Sequence, residues 1–298
     1  MNFKKISDNC FYFHDAVNIG YVRNGKYGLL IDSGIDASAA KKVLRVLNEH
    51  DLPCTHLFLT HAHADHYGGA AHLQKKIGVY TLAPFFEEAI MRCPKLEPLY
   101  LFEGVNPPEA MRNKFLEGAP VRVDQVCDAG TLEVAGLRLE LIDLPGHSHA
   151  QLGVLVDDIL YAADGYFSKE TLIKHRIPFM VDVSEGIQSL QKLLSVDCKG
   201  AVPGHGGFEE SFCDTVQFNL NFHKAIADKL LQHIRSESGG MSHEQIIRSA
   251  CLSHDVRATS VSSWTLYRTA VTAYLLYLID EGQLSMALND FQLWFTAE

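Results

Sequence analysis

The densest group of potentially reactive side chains in the 298-residue chain is His-Ala-His-Ala-Asp-His, at residues 61–66. An apolar segment comes directly before it. A tight loop that leaves a strand can direct alternate side chains into one cavity, and the alanines are small enough to let the loop fold closely. His61 and His63 can then share one cation while Asp65 and His66 face a second. A solvated surface loop is the alternative, but the preceding apolar segment argues against it.

Three further segments place a histidine or an aspartate directly after a predicted strand, with glycine or proline beside it. They are Leu-Pro-Gly-His ending at His147, Ala-Asp-Gly around Asp164, and Pro-Gly-His-Gly around His205. With the first cluster they supply five of the 15 histidines, two carboxylates and no thiolate. This nitrogen-rich set suits Zn²⁺, with Fe or Mn as alternatives, whereas Ca²⁺ and Mg²⁺ prefer oxygen ligands.

Seven ligands are too many for one tetrahedral zinc ion but suit two metal ions that share a carboxylate. Such ions typically lie ~3.5–4 Å apart with a water or hydroxide between them. Asp164 is the natural bridge, because a carboxylate has two oxygens and an imidazole has one free lone pair. Two metal ions lower the pKa of a bound water toward ~7, so hydrolysis is the expected chemistry.

The segments that carry these residues have strand patterns and turn signals. Hairpins are predicted with turns at Asn24-Gly25, Ala135-Gly136 and Asp157-Asp158. A helix is predicted after Asp36, which is a plausible N-cap residue. The last strand of this region is predicted at Gly-Ala-Val-Pro, just before the histidine at 205.

Two segments differ from this strand-rich pattern. Residues 84–120 contain six of the ten prolines, which predicts an ordered cover over the site with short helical pieces. Residues 209–298 are predicted to be mostly helical, with a hydrophobic helix at 271–279 and a hairpin turning at Asn289-Asp290. We therefore expect two domains, a metal-hydrolase domain at 1–208 and a winged-helix-like C-terminal domain at 209–298.

In order, the motifs of residues 5–208 resemble the five motifs of the metallo-β-lactamase-fold hydrolases. They are Asp32 in Leu-Leu-Ile-Asp-Ser-Gly, the cluster at 61–66, Pro-Gly-His at 145–147, Asp164-Gly165, and Pro-Gly-His-Gly at 203–206. The chain looks most similar to the glyoxalase II-like and lactonase-like branch. The resemblance implies an α/β fold, a four-layer αβ/βα sandwich with the metal site at one edge between two sheets.

The resemblance also implies a role for each motif residue. One metal would be held by His61, His63 and His147, the other by Asp65, His66 and His205, with Asp164 as the bridge. Asp32 would be a buried residue beside the metals and not a ligand. The motif often written Pro-Gly-His-Thr-Pro-Gly-His is here Pro-Gly-His-Ser-His-Ala-Gln, so His149 is a departure from the branch.

Other residues near the motifs are candidates for the substrate pocket. Tyr166 and Phe167 directly follow Asp164 and are expected to line the cleft. His149 is either a residue at the pocket edge that contacts substrate or a surface or packing histidine, and we favour the second interpretation. Lys169, Lys174 and His175 could place positive charge near a substrate carboxylate or phosphate, or form a solvated loop.

Charge and composition restrict the partners. The formal net charge is −10, and residues 209–298 hold six basic and eleven acidic side chains, so no nucleic-acid partner is expected. No apolar run reaches the ~20 residues of a membrane helix, and no signal peptide is evident. Seven scattered cysteines are expected to be reduced thiols. We expect a cytoplasmic protein that acts on a small molecule, with a homodimer as one candidate assembly.

The leading functional hypothesis is a dinuclear hydrolase that uses a metal-bridging hydroxide on a small ester, thioester or lactone. Asp65 would be the catalytic residue that relays a proton to the leaving group. One alternative is a phosphodiesterase or nuclease of the same fold. Another is a mononuclear iron enzyme similar to persulfide dioxygenases, with the C-terminal part as a binding module.

Overall fold

A computed structural model describes residues 1–298, and its first sheet contains seven strands in chain order. Neighbouring strands are antiparallel through the first four and parallel from the fourth onward. These strands are β1 (Asn2–Lys5), β2 (Cys10–His14), β3 (Ile19–Asn24), β4 (Tyr27–Ile31), β5 (His56–Phe58), β6 (Tyr80–Pro84) and β7 (Gln125–Cys127).

The second sheet contains five strands, namely β8 (Gly130–Val134), β9 (Leu137–Asp143), β10 (Leu152–Val156), β11 (Ile159–Ala163) and β12 (Gly200–Pro203). Their order is β12-β11-β10-β9-β8, and only β11 and β12 run parallel. The predicted turns at Ala135-Gly136 and Asp157-Asp158 are confirmed. All four turn residues have positive φ, as a two-residue hairpin that follows the strand twist requires.

The helices are α1 (Ala37–Glu49), α2 (Ala64–Tyr67), α3 (Ala70–Ile77), α4 (Phe85–Arg92), α5 (Leu96–Leu101), α6 (Lys169–His175), α7 (Val183–Leu193), α8 (Cys213–Ser236), α9 (His243–Ser253) and α10 (Val261–Asp280). Asp36 caps α1 by accepting hydrogen bonds from the Ser38 and Ala39 N–H groups, as predicted. The proline-rich segment forms α4, α5 and a 3₁₀ turn at Glu109–Met111, which confirms short helical pieces.

Three hydrophobic cores hold the layers together. The core between the two sheets contains Phe58 of β5 and Val154 of β10. A second core packs the outer face of the first sheet against α1 and α3, through residues such as Val43 and Leu73. The third packs the outer face of the second sheet against α7 and the C-terminal helices, and it includes Leu190 of α7. The result is the predicted four-layer αβ/βα sandwich.

The C-terminal region adds three strands to its helices: β13 (Met241–Ser242), β14 (Leu284–Asn289) and β15 (Gln292–Ala297), in the order β13-β15-β14. The predicted β14–β15 hairpin is present, but its turn is Asp290-Phe291, one residue later than predicted. The β3–β4 turn is likewise one residue later, at Gly25-Lys26. In both hairpins the asparagine, Asn24 or Asn289, is the last paired residue of the first strand. The two-residue turn therefore begins one position later than predicted. None of the helices combines the length and apolar character needed to cross a bilayer.

Candidate metal centre

The predicted ligands all follow the carboxyl ends of strands. Residues 61–66 follow β5, His147 follows β9, Asp164 directly follows β11, and His205 follows β12. Neighbouring strands bring these ends to one edge of the sandwich. There the ligand atoms form three overlapping groups within 4.8 Å, which are His61, His63 and His147; His61, His66 and Asp164; and Asp65, His66 and His205.

The first group presents three imidazole nitrogens to a common point. His61 Nε2 lies 3.1 Å from His63 Nδ1, and His63 Nδ1 lies 2.8 Å from His147 Nε2. Tetrahedral zinc with bonds of 2.0–2.1 Å holds its nitrogens about 3.3 Å apart. These spacings therefore fit three ligands of one divalent ion.

Asp164 lies between this group and the second. Its Oδ2 is 3.2 Å from His147 Nε2 and 3.4 Å from His205 Nε2, and its Oδ1 is 3.3 Å from His66 Nε2. Asp65 Oδ2 completes the second group, 3.5 Å from His205 Nε2. His66 Nε2 and Asp164 Oδ1 are buried without a hydrogen-bond partner, which is costly unless a cation binds there. The donor set thus fits divalent metal ions.

Hydrogen bonds to the far ring nitrogens fix the tautomers of four histidines. The Nδ1–H groups donate from His61 to Thr60 Oγ1 (3.0 Å), from His66 to Asp32 Oδ2 (2.7 Å), from His147 to the Phe179 carbonyl (3.0 Å) and from His205 to the Ala16 carbonyl (2.7 Å). Each bond leaves the Nε2 lone pair directed into the site. His63 is reversed, because its Nδ1 faces the site and its Nε2 lies 3.9 Å from Glu97 Oε1.

Asp32 is buried beside the predicted ligands, in the place that the family resemblance implies. Only 3% of its surface is exposed, and its carboxylate accepts hydrogen bonds from the Thr60 N–H and hydroxyl as well as from His66. Its φ of +66° is uncommon for a residue other than glycine. Asp32 therefore orients His66 and ties the end of β4 to the loop after β5.

The backbone of neighbouring loops packs unusually closely against the Asp164 side chain. Ala163, directly before it, has a φ of +46°. A Cβ atom at Gly204 would collide with Asp164 Oδ1, so only glycine lets the loop after β12 pass this near. Strained or tightly packed backbone of this kind is common at functional sites.

Burial and charge shift the pKa values of the ligands in opposite directions. Burial, reinforced by neighbouring histidines, holds the pKa values of His61 and His63 well below their usual range. Burial also opposes charge on His66 and Asp164, but the opposite charges around them outweigh it. The pKa of His66 is therefore raised by Asp164 and Asp32, and that of Asp164 is lowered chiefly by His205 and His66. The cluster thus favours negative charge on the Asp164 carboxylate.

A cavity of about 210 Å³ opens beside the ligands. It is lined by His63, Asp65, Glu97, Phe115, Leu116, His147, Asp164, Phe167, His175, Pro178, Phe179, His205 and Leu266. Phe167 lines the cavity, whereas Tyr166, which was expected beside it, does not. Consecutive side chains after β11 point to opposite sides, so Tyr166 is buried in the core, where its ring stacks on Phe212 at 6.0 Å.

The other pocket candidates divide between the cavity and the surface. His149 is exposed and packs against Phe86, with ring centroids 4.8 Å apart, outside the cavity lining. Lys169 lies over the Phe218 ring at 5.6 Å, and neither it nor Lys174 lines the cavity. His175 does line it. The cavity lining therefore contains neither of the two lysines that were candidates for contact with an anionic substrate.

Two carboxyl groups of the proline-rich segment, which no sequence motif indicates, are buried near the ligands. Glu87 on α4 accepts hydrogen bonds from the Ala62 N–H (2.8 Å), the Ser148 hydroxyl (2.6 Å) and the Ala150 N–H (2.8 Å). Glu97 on α5 faces the cavity, and burial raises its pKa to about 8. Neither lies in a recognisable motif, and nothing in the sequence separates Glu87 from the adjacent Glu88.

Comparison with known proteins finds relatives that are a thioesterase and a hydrolase by name. The atrochrysone carboxyl ACP thioesterase of Aspergillus fumigatus is 26% identical over 207 residues, which cover 69% of this chain and 56% of that protein. The hydroxyacylglutathione hydrolase of Aeromonas hydrophila is 29% identical over 150 residues, covering 50% of this chain and 46% of that protein. The chain thus spans about half the length of these curated relatives.

Structural similarity extends over nearly the whole chain. A metallo-beta-lactamase family protein from Thermus thermophilus aligns with a TM-score of 0.73 and 19% identity, covering 95% of this chain and 94% of that chain. At this identity the likeness shows the fold alone. The family model of the metallo-beta-lactamase superfamily matches residues 13–205, more than half of the chain. The chain therefore belongs to the metallo-beta-lactamase superfamily.

Proposed function

We propose that the chain is a dinuclear metal-dependent hydrolase that cleaves a small ester, thioester or lactone. The observation that carries this proposal is the position of Asp164 between two groups of ligands. Its Oδ2 lies 3.2 Å from His147 Nε2 and 3.4 Å from His205 Nε2. The curated relatives described above are a thioesterase and a hydrolase by name, which supports the same reaction class.

The ligand roles follow from the groups of atoms. One ion would be held by His61, His63 and His147 and the other by Asp65, His66 and His205, with Asp164 shared. Zn²⁺ suits this set best, with Fe and Mn as alternatives. When bound, two divalent ions supply a water of lowered pKa, polarisation of the scissile carbonyl and stabilisation of its developing negative charge.

The side chains around the ligands position the substrate and move protons. Asp65 lines the cavity and is partly exposed, so its carboxylate can take a proton from the attacking water and deliver it to the leaving group. Phe167 and Phe179 line the same cavity beside the ligand histidines and exclude bulk water from the reacting bond.

Loss of one ligand tests the proposal. The zinc-loaded protein should hydrolyse at least one substrate among simple esters, thioesters and lactones, and His61→Ala should lower kcat/KM roughly 10³-fold or more. His72→Ala is the matched control, because His72 lies on α3 outside the cavity lining. If the protein with both metals bound turned over none of these substrates, the proposal would be contradicted.

A further inference from the structure

One wall of the cavity is apolar and is built from separate parts of the chain. The proline-rich cover contributes two of its side chains, the loop before α7 another two, and α10 of the C-terminal region one more. Phe167, after β11, completes the set. The apolar lining residues are Phe115, Leu116, Phe167, Pro178, Phe179 and Leu266. The wall therefore exists only in the folded chain, and no single motif contains it.

No lysine or arginine lines this cavity. Apart from the predicted ligands, its ionisable side chains are Glu97 and His175. Glu97 is 3% exposed and accepts a hydrogen bond of 2.6 Å from the Tyr100 hydroxyl. A carboxylate or phosphate placed against the wall, away from the metal positions, would have no lysine or arginine partner there. Burying a charge without a partner is costly.

We propose that the site takes uncharged esters or thioesters that carry an apolar group next to the scissile bond, and that it discriminates against substrates with a carboxylate or phosphate on that group. This inference rests on the hydrolysis proposed above. A cavity of about 210 Å³ is smaller than the ~300–1,000 Å³ of pockets for drug-sized ligands, so a short alkyl chain or a single ring fits.

Two matched pairs of substrates test the inference with the full-length, zinc-loaded protein. The first pair is the hexanoyl and 5-carboxypentanoyl thioesters of N-acetylcysteamine. The second is the acetyl thioesters of hexanethiol and 6-mercaptohexanoate. We expect kcat/KM to be roughly 30-fold higher for the uncharged member of at least one pair, because an unpaired carboxylate is costly to bury. The pair that shows the preference identifies the apolar group as acyl or leaving group.

A charge variant locates the preference in the wall. Phe115→Lys adds a cation at a position that lines the cavity and is 65% exposed, so the fold should tolerate it. Phe85→Lys is the matched control, since Phe85 lies in the same cover, is 72% exposed and does not line the cavity. We expect Phe115→Lys to lower the preference for the uncharged member about tenfold by pairing with the carboxylate, and Phe85→Lys to leave it unchanged.

The outcomes separate this inference from the proposed function. Equal kcat/KM values within both pairs would contradict the inference and leave hydrolysis intact. An unchanged preference in Phe115→Lys would contradict its assignment to this wall. If none of the four thioesters is cleaved but simple lactones are, the inference fails for thioesters while hydrolysis stands. If nothing is cleaved with metals bound, both fail.

Discussion

At the residue scale, side chains outside the motifs hold the ligands in place. Glu87 is fully buried and connects two ligand loops, since it accepts hydrogen bonds from the Ala62 N–H, between His61 and His63, and from the Ser148 hydroxyl, next to His147. Hydrogen bonds to a charged acceptor contribute about 1.5–3 kcal/mol each. Glu87 therefore orients three predicted ligands, His61, His63 and His147, and is not itself a member of any of the three ligand groups.

Replacing this carboxylate should weaken both the fold and metal binding. Glu87→Gln puts an amide N–H₂ group among donors, so we expect the free energy of unfolding to fall by about 2–4 kcal/mol. Zinc affinity should fall about 10–100-fold, as is typical when a partner that orients ligands is lost. Denaturant titration measures the first effect and chelator competition the second.

Glu88→Gln is the matched control for this prediction. Glu88 is the neighbouring residue, and it pairs with Arg92 at the surface at 2.8 Å. An exposed pair of this kind contributes at most about 1 kcal/mol. If Glu87→Gln were no more destabilising than Glu88→Gln and bound zinc equally well, Glu87 would not position the ligands.

At the element scale, the sequence predicts where the strands end better than which way the following side chains point. Ligands at strand ends follow from apolar segments that stop at glycine or proline, and the structure brings His61, His147, Asp164 and His205 together. Tyr166 differs, because the direction of its side chain depends on packing against Phe212, just before α8. No local sequence pattern indicates such a long-range contact. The cavity wall depends on the same kind of long-range packing.

The C-terminal helices make a testable prediction about pH. His223 of α8 is buried and its Nδ1 accepts a hydrogen bond of 2.7 Å from the Tyr274 hydroxyl of α10. Burial lowers the pKa of His223 from 6.5 to about 4. The unfolded chain therefore binds more protons at this residue between these pH values, so the free energy of unfolding falls as the pH decreases from 6.5 toward 4.

The expected loss at His223 is about 3 kcal/mol across this range. Denaturant titrations at pH 7 and pH 4, on metal-free wild type and His223→Gln, measure it. Wild type should lose about 3 kcal/mol more than the variant between the two pH values. Equal losses would mean that His223 is not held neutral between α8 and α10.

At the scale of the whole molecule, the C-terminal region and the sandwich that carries the candidate metal centre share one hydrophobic core. That core runs from Ile142 of β9 through Leu190 of α7 to Tyr274 of α10 and Phe295 of β15. Leu266 of α10 also lines the cavity. The division at residue 208 remains a prediction about domains, but the packing indicates that residues 209–298 support the sandwich and shape the site.

Removal of residues 209–298 should therefore disrupt the remaining chain. The truncated protein would expose the face of α7 that packs against α8, so we expect aggregation or a melting temperature far below that of the full chain. Thermal melting and size-exclusion chromatography measure the effect. A truncated protein that is monomeric, equally stable and equally active would contradict this account of the C-terminal region.

Metal stoichiometry coupled to activity tests the central claim most directly. The protein is stripped with a chelator, titrated with Zn²⁺ and assayed at each step for bound metal, by elemental analysis, and for thioester hydrolysis. We expect saturation at about two ions per chain, with hydrolysis that follows occupancy and a clear loss of bound metal in His205→Ala. Purified protein that holds about one iron per chain, binds no second ion and hydrolyses nothing would contradict the account.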